Sequence, residues 1–356
     1  MKNNIFEDVV LLPINLALFG EGNTNTTASE GLSAEMRTYY SDYLIDMAEP
    51  ELVHDQFGQK QPIPKNGGKT IQFRKYSPLP KALTPLTEGV TPKGQSLNVI
   101  PLEATVKQYG GYVELSDILL MTAVDNNLVQ ATRLLGSQAG RTLDTITREV
   151  LNGGTNVIYA GTNKSTRPSL EAGDKLTVDL IKRAVRTLKI MNAPKIDGYY
   201  VGIIHPDCAY DLMNESEWIE AHKYATPENI FEGEIGKIAG VRFIEATEAK
   251  VFVKTAKNTQ KVDVYSTLIL GADAYGVTSI SDGGLEHIVK QLGSAGTSDP
   301  LNQRATAGWK ATKTAKRLVE EYMVRIESAS TFEISADIDE LNDEAETLET
   351  LGENFF

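Results

Sequence analysis

Residues 56–100 constrain this chain more than any other stretch. Gln56 to Ile100 carries seven basic residues, Lys60, Lys65, Lys69, Arg74, Lys75, Lys81 and Lys93, against one acid, Glu88. Six of the fourteen prolines and the pair Gly67-Gly68 fall in the same stretch, which excludes helix and leaves room only for short strands. A segment of this kind cannot make a core of its own. Loops of this length are uncommon inside compact proteins and are usually functional, so the stretch is expected to be an arm whose folding partner is another molecule. Subtracting its +6 from the overall −13 leaves −19 on the rest of the chain, which makes a second copy of the chain the expected partner.

Elsewhere the composition is that of an ordinary globular protein, 41% apolar and 23% charged over 356 residues, enough for one large core or two ordinary ones. Cys208 is the only cysteine, so no disulfide can form within the chain, as suits folding in a reducing cytoplasm. The apolar run that starts at Val9 comes after Glu7 and Asp8, contains Pro13 and lacks a small-residue exit, unlike a secretory signal. No run approaches the roughly 20 apolar residues of a membrane span. The acidic balance opposes phosphate binding over most of the surface and argues against specific DNA recognition.

Residues 1–30 end in a polar run that reads as a flexible leader, and Ser33 opens a helix with Met36, Tyr39, Tyr40, Tyr43, Leu44 and Met47 at helical spacing. After the basic arm, residues 104–116 read as a strand with a bulge or close backbone approach at Gly110-Gly111, and Ser116 offers an N-cap to a helix. Val124, Leu128, Ala131, Leu135, Ala139, Leu143, Ile146 and Val150 then keep a helical period up to Asn152, a helix about 42 Å long. Leu128, Leu135, Leu143, Ile146 and Val150 are its expected core, and Gly136 and Gly140 suit close packing. From Thr177 short elements alternate: a capped helix stopped by Pro194, the strand YYVGIIH, a helix begun by Pro206, and strand candidates VRFI, VFV and VDVYSTLIL. This predicts an α/β or α+β unit, residues 177–271, inserted into the domain of the long helix. The stretches RATAGWKATKTAKRL and EYMVRIES are expected to return to the sheet begun near Ala104.

Catalytic chemistry has little support. Gly68-Lys69-Thr70 lacks the earlier glycine and the subsequent helix of a phosphate loop. His205, Cys208 and Asp211 could suggest a nucleophile and its base, but a histidine before Pro206 is a helix-start feature and Cys208 reads as a small buried hydrophobe. The histidines at 54, 205, 222 and 287 make no ligand spacing, and the acids at 337 and 339 lack the frame of a calcium loop. No catalytic, cofactor or metal site is expected, and Trp309 and Tyr322 are read as packing residues in alternating strands.

Several long blocks carry a resemblance: PKNGGKTIQFRKYSPLPKALTPLTEGVTP in the arm, QYGGYVELSD, GSQAGRTLDTITREVLNGGTN, and NQRATAGWKATKTAKRLVEEYMVRIE. With them the chain resembles the major capsid proteins of tailed double-stranded DNA phages, in the subgroup typified by the N4-like phages. The resemblance implies an α+β fold of the Hong Kong 97 type: an N-terminal arm (1–55), an extended loop (56–101), a peripheral domain (102–174 and 272–331) with a spine helix over about 116–152, and an axial domain (175–271). An acidic tail would occupy 332–356.

It further implies a non-enzymatic shell subunit that assembles in the host cytoplasm into hexamers and pentamers around packaged double-stranded DNA, with portal and separate scaffolding proteins as partners and no membrane. Lys60, Lys69, Ile71, Phe73, Arg74, Lys75, Leu83 and Leu86 would be the loop's inter-subunit contacts. An encapsulin-type compartment and an unrelated cytoplasmic enzyme are the competing readings. The tail reads either as a solvated, disordered acidic end or as an amphipathic helix, since Ile334, Ile338, Leu341, Ala345 and Leu348 are spaced 4, 3, 4 and 3; such a helix would dock on the outer surface, on its own subunit or a neighbour, because packaged DNA would repel its acids.

Overall fold

In a computed structural model of the chain, the residues described are 52–63, 69–76, 79–86, 88–91, 94–122, 127–223, 236–253, 262–279, 285–294 and 299–332. The leader, the helix expected after Ser33 and the acidic tail lie outside them. Elements are numbered in chain order.

The largest sheet is mixed and has seven strands. Its edge-to-edge order runs β5 (Val157–Tyr159), β15 (Met323–Ser328), β10 (Val264–Leu270), β6 (Tyr200–Ile204), β8 (Val241–Glu245) and β7 (Gly236–Ile238), with β9 (Val251–Phe252) also paired to β10. Every residue of β6, β10 and β15 is buried. Both faces of these strands are covered, so β6 is wholly apolar and β10 largely so, while β15 also buries Arg325, Glu327 and Ser328. On one face Tyr200, Ile204, Tyr265, Ile269, Val324 and Ile326 pack under α3 (Val178–Ile190) and α4 (Pro206–Met213). On the other, Val201, Ile203, Leu268, Leu270 and Met323 meet Leu151 and Tyr275. Thr177 caps α3 by accepting from the Leu180 amide, and His205 caps α4 by accepting from the Asp207 amide, as their positions in the sequence suggest.

A second, antiparallel sheet joins β12 (Leu285–Lys290), β13 (Arg304–Lys313) and β4 (Lys107–Ser116), and β4 pairs with β13 along all ten of its residues. The register is unbroken at Gly110-Gly111, so there is no bulge; a side chain at Gly110 would collide with the Trp309 carbonyl, which makes this a site of close approach. Ser116 accepts from the Leu119 amide in α1 (Asp117–Thr122), and the long helix α2 spans Asn127–Asn152. Leu135, Ala139 and Leu143 of α2 are buried against Leu285, Ala307, Trp309 and Ala311, with Ile146 partly buried beside them. Val150 is half-exposed, and the side chain of Leu128 lies outside the described set.

Two expectations are corrected here. EYMVRIES does not return to the sheet begun near Ala104: its strand β15 runs between β10 and β5 in the seven-stranded sheet. Its polar residues are buried there because Arg167 grips Glu327 at 2.6 and 2.7 Å while Arg325 lies 2.9 Å from the same carboxylate. Tyr322 sits in a short 3-10 turn (Glu320–Tyr322) rather than in a strand.

Candidate assembly interface

The basic segment folds as a two-stranded antiparallel hairpin, β2 (Thr70–Tyr76) with β3 (Val99–Thr105), paired from Thr70↔Thr105 to Tyr76↔Val99. Alternation along β2 turns Ile71 and Phe73 to one face and Gln72, Arg74 and Tyr76 to the other. Ile71 and Phe73 are buried with Ala104, Leu318 and Val319 of their own subunit. They are therefore corrected out of the inter-subunit set: they fix the hairpin's root. The fit depends on Gly276 in β11 (Tyr275–Thr278), where any side chain would occupy the space of the Phe73 ring.

Beneath the root, β11 lies between β1 (Gln59–Gln61) and β14 (Ala315–Arg317). A buried ionic network ties the segment that enters β1 to the long helix. Asp144 accepts from the His54 amide at 2.7 Å and lies 2.6 Å from its Nδ1. Asp55 accepts from Thr147 at 2.6 Å and pairs with Lys313, and the Tyr275 hydroxyl donates to the His54 carbonyl. No sequence signal announced this network, whose members are 90 to 258 residues apart.

Beyond the root the character changes. Leu83 is 82% exposed and Leu86 78%, with Leu79, Val90 and Leu97 also more than half exposed. Exposed apolar patches are where protein–protein contacts are commonly found. Lys60, Lys69 and Arg74 are exposed and Lys75 half-exposed near the root, and none makes an ion pair with another described residue. The structure thus separates the predicted contact residues into a buried anchor (Ile71, Phe73), a cationic base (Lys60, Lys69, Arg74, Lys75) and an apolar tip (Leu83, Leu86). Lys75 and Val150 line one cleft of about 530 Å³ where the hairpin meets the end of α2. Further exposed apolar residues lie on α1 and the adjoining strand, namely Ile118, Leu119, Met121 and Tyr112, which periodicity alone did not single out.

The residues that invited a catalytic reading are structural. Burial pushes the Cys208 thiol up to about 12, far from a reactive thiolate. Burial also lowers the pKa of His205, whose ring serves as a helix cap. Asp211 holds Ser330 and Thr331 through hydrogen bonds. Burial alone would raise its pKa, but those bonds and the charge of Lys175 outweigh it and leave the carboxyl below its ordinary value. Among the described residues no three His, Cys, Asp or Glu side chains cluster to hold a metal ion, and no helix is long and apolar enough to cross a membrane.

The fold thus combines a mixed α/β body, a long helix on an antiparallel sheet and a hairpin with an uncovered apolar tip. The sequence matches the phage capsid protein family over residues 114–292, half of the chain, and the chain belongs to that family. It is a structural protein of the virion, a major capsid protein that forms the head shell.

The fold is similar to the capsid of Ralstonia phage GP4, 15% identical with a TM-score of 0.59 over 78% of this chain and 86% of that one. It is also similar to the capsid of cyanophage Pam1, 13% identical with a TM-score of 0.58 over 80% and 92% of the two chains. The head of Helicobacter pylori bacteriophage KHP40 is a third such structure, 11% identical with a TM-score of 0.57 over 78% and 88%. No protein with a curated description matches the chain.

Proposed function

We propose that the hairpin is the extended loop of a Hong Kong 97-type subunit of the N4-like subgroup, and that it bridges neighbouring subunits in hexameric and pentameric capsomers. The observation that carries the proposal is the contrast within the hairpin, whose root is buried in its own subunit while its tip exposes Leu79, Leu83, Leu86, Val90 and Leu97. Burying one such side chain is worth about 1.5–3 kcal/mol, so a tip seated on a neighbour supplies cohesion without any chemistry. The four cations at the base add attraction towards an acidic neighbour.

The subunit acts without catalysis, in this reading, and assembles in the host cytoplasm with portal and scaffolding proteins to enclose double-stranded DNA that it does not read. The α2 helix and its antiparallel sheet take the peripheral role, and α3, α4 and strands β6 to β10 the axial one. Because Ile71 and Phe73 belong to the body, the informative deletion spares β2 and β3. Replacing residues 77–98 by Asn-Gly, a turn that closes an antiparallel pair, should leave a folded, soluble monomer that forms no shells by electron microscopy. Shells of normal size from this variant would refute the bridging role.

A further inference from the structure

Helix α3 has one face that the fold explains and one that it does not. Val178, Leu180, Ile181, Ala184, Val185 and Leu188 are buried on the sheet. Lys182, Arg183, Arg186 and Lys189 are exposed, and Asp179 is the helix's only acid. Of the four cations Lys182 alone has an ion-pair partner among the described residues, Glu217 at 2.5 Å. Solvated cations need no account, but an apolar strip between them does. An open groove of about 530 Å³ runs along the C-terminal half of α3 beside the turn at Ala239, lined by Lys182, Val185, Arg186, Lys189, Ile190 and Ala239. Ile190 is 56% exposed there, and Met191 beside it is 47% exposed.

The described chain ends near the other end of this helix. Lys175, three residues before α3 begins, donates to the Thr331 hydroxyl at 2.6 Å, and Phe332 packs edge-on against Tyr210 at 5.2 Å. Residues 333–356 then carry nine acids, no Lys or Arg, and the apolar series Ile334, Ile338, Leu341, Ala345 and Leu348. In helical projection Asp337 and Glu344 flank one side of that series and Glu349 the other. From Ile334 to Leu348 a helix would run about 21 Å, against about 18 Å for α3.

We propose that the acidic C-terminal segment seats its apolar series in the α3 groove of its own subunit, parallel to α3, with its flanking carboxylates on the cationic rim. The match is threefold: apolar strip to apolar floor, acids to cations, and a starting point beside the end of α3 from which the groove leads away. Packaged DNA would satisfy the cations but leave Ile190 and the groove floor in water, whereas this segment covers both. The inference does not depend on how subunits join, since it concerns a single chain.

The test uses the full-length soluble chain and a glutamate-specific protease, with release of tail peptides measured by mass spectrometry. Tethering gives an effective concentration in the millimolar range, so docking with an intrinsic affinity of about 0.1 mM slows cutting about tenfold. Arg186→Glu with Lys189→Glu should remove that protection at unchanged thermal stability, because both side chains are exposed. Adding Glu344→Lys and Glu349→Lys should restore it, read at the cuts after Glu340 and Glu346 that all the variants share.

Independently, Ile190→Cys with Leu348→Cys should oxidise to a disulfide within one chain, with buried Cys208 taking no part. Equal cutting rates in the parent and the charge-reversed protein would overturn the proposal. So would a disulfide that forms only between chains, or protection found only in DNA-filled particles, which would assign the cations to DNA.

Discussion

The two ends of the hairpin obey different rules although they share a composition. At the root, Ile71 and Phe73 alternate with polar residues and are covered by Leu318 and Val319, as in any half-buried strand. At the tip, leucines of the same kind stand more than half exposed. One copy of the chain covers the root and leaves the tip in water. Apolar content alone therefore does not identify an interface; what identifies it is apolar content that the subunit's own fold leaves uncovered.

Substitutions can break this contrast, and they fall in a definite order. Leu135→Asp places a carboxylate under the antiparallel sheet, among buried apolar side chains, and should cost on the order of 5 kcal/mol, enough to abolish soluble expression. A soluble, folded product would show that α2 does not depend on this contact. Next comes Lys313→Met, which strands the buried Asp55 carboxylate and should cost about 3–5 kcal/mol in urea unfolding of the monomer. Adding Asp55→Asn should recover much of that loss, and failure of the double variant to recover would mean that the lysine acts through packing alone.

Smallest for the monomer is Arg74→Glu with Lys75→Glu near the end of β2, one on each face of the strand and neither buried, where stability should change by no more than about 0.5 kcal/mol. The protein concentration needed for assembly should nevertheless rise, most clearly at low salt, because exposed charges are screened. Equal assembly across salt concentrations would confine the interface to the apolar tip.

Much of the body was legible in the sequence. The caps at Ser116, Thr177 and His205, the stripe through Leu135 and Leu143, and the inert Cys208 all come from local spacing and neighbours. What escaped was decided by partners far away along the chain. Period-2 alternation was present around Ile71 and Phe73, but their cover arrives some 245 residues later, and a proline-rich surround made them read as part of an arm.

Likewise nothing in the local sequence of β15 reveals that Arg167 will join Arg325 on the Glu327 carboxylate and let these charges be buried inside a sheet. The candidate site was legible as a segment but not as a division of labour. Of the residues singled out, Lys60, Lys69, Arg74 and Lys75 lie at the base and Leu83 and Leu86 at the tip beside exposed Lys81, and that assignment appears only once the β2–β3 register is known.

The one-residue join between β3 and β4 has a mechanical consequence. Val106 alone separates them, and its amide donates to the Lys69 carbonyl at 2.9 Å. If a neighbouring subunit holds the tip while pressure inside a filled head pushes outward, tension along the hairpin enters β4 at its end. There it meets a ladder ten residues long on β13. A strand pulled from its end loads the bonds of its ladder together rather than one after another, so the subunit should yield at the seam between copies well before this sheet unzips.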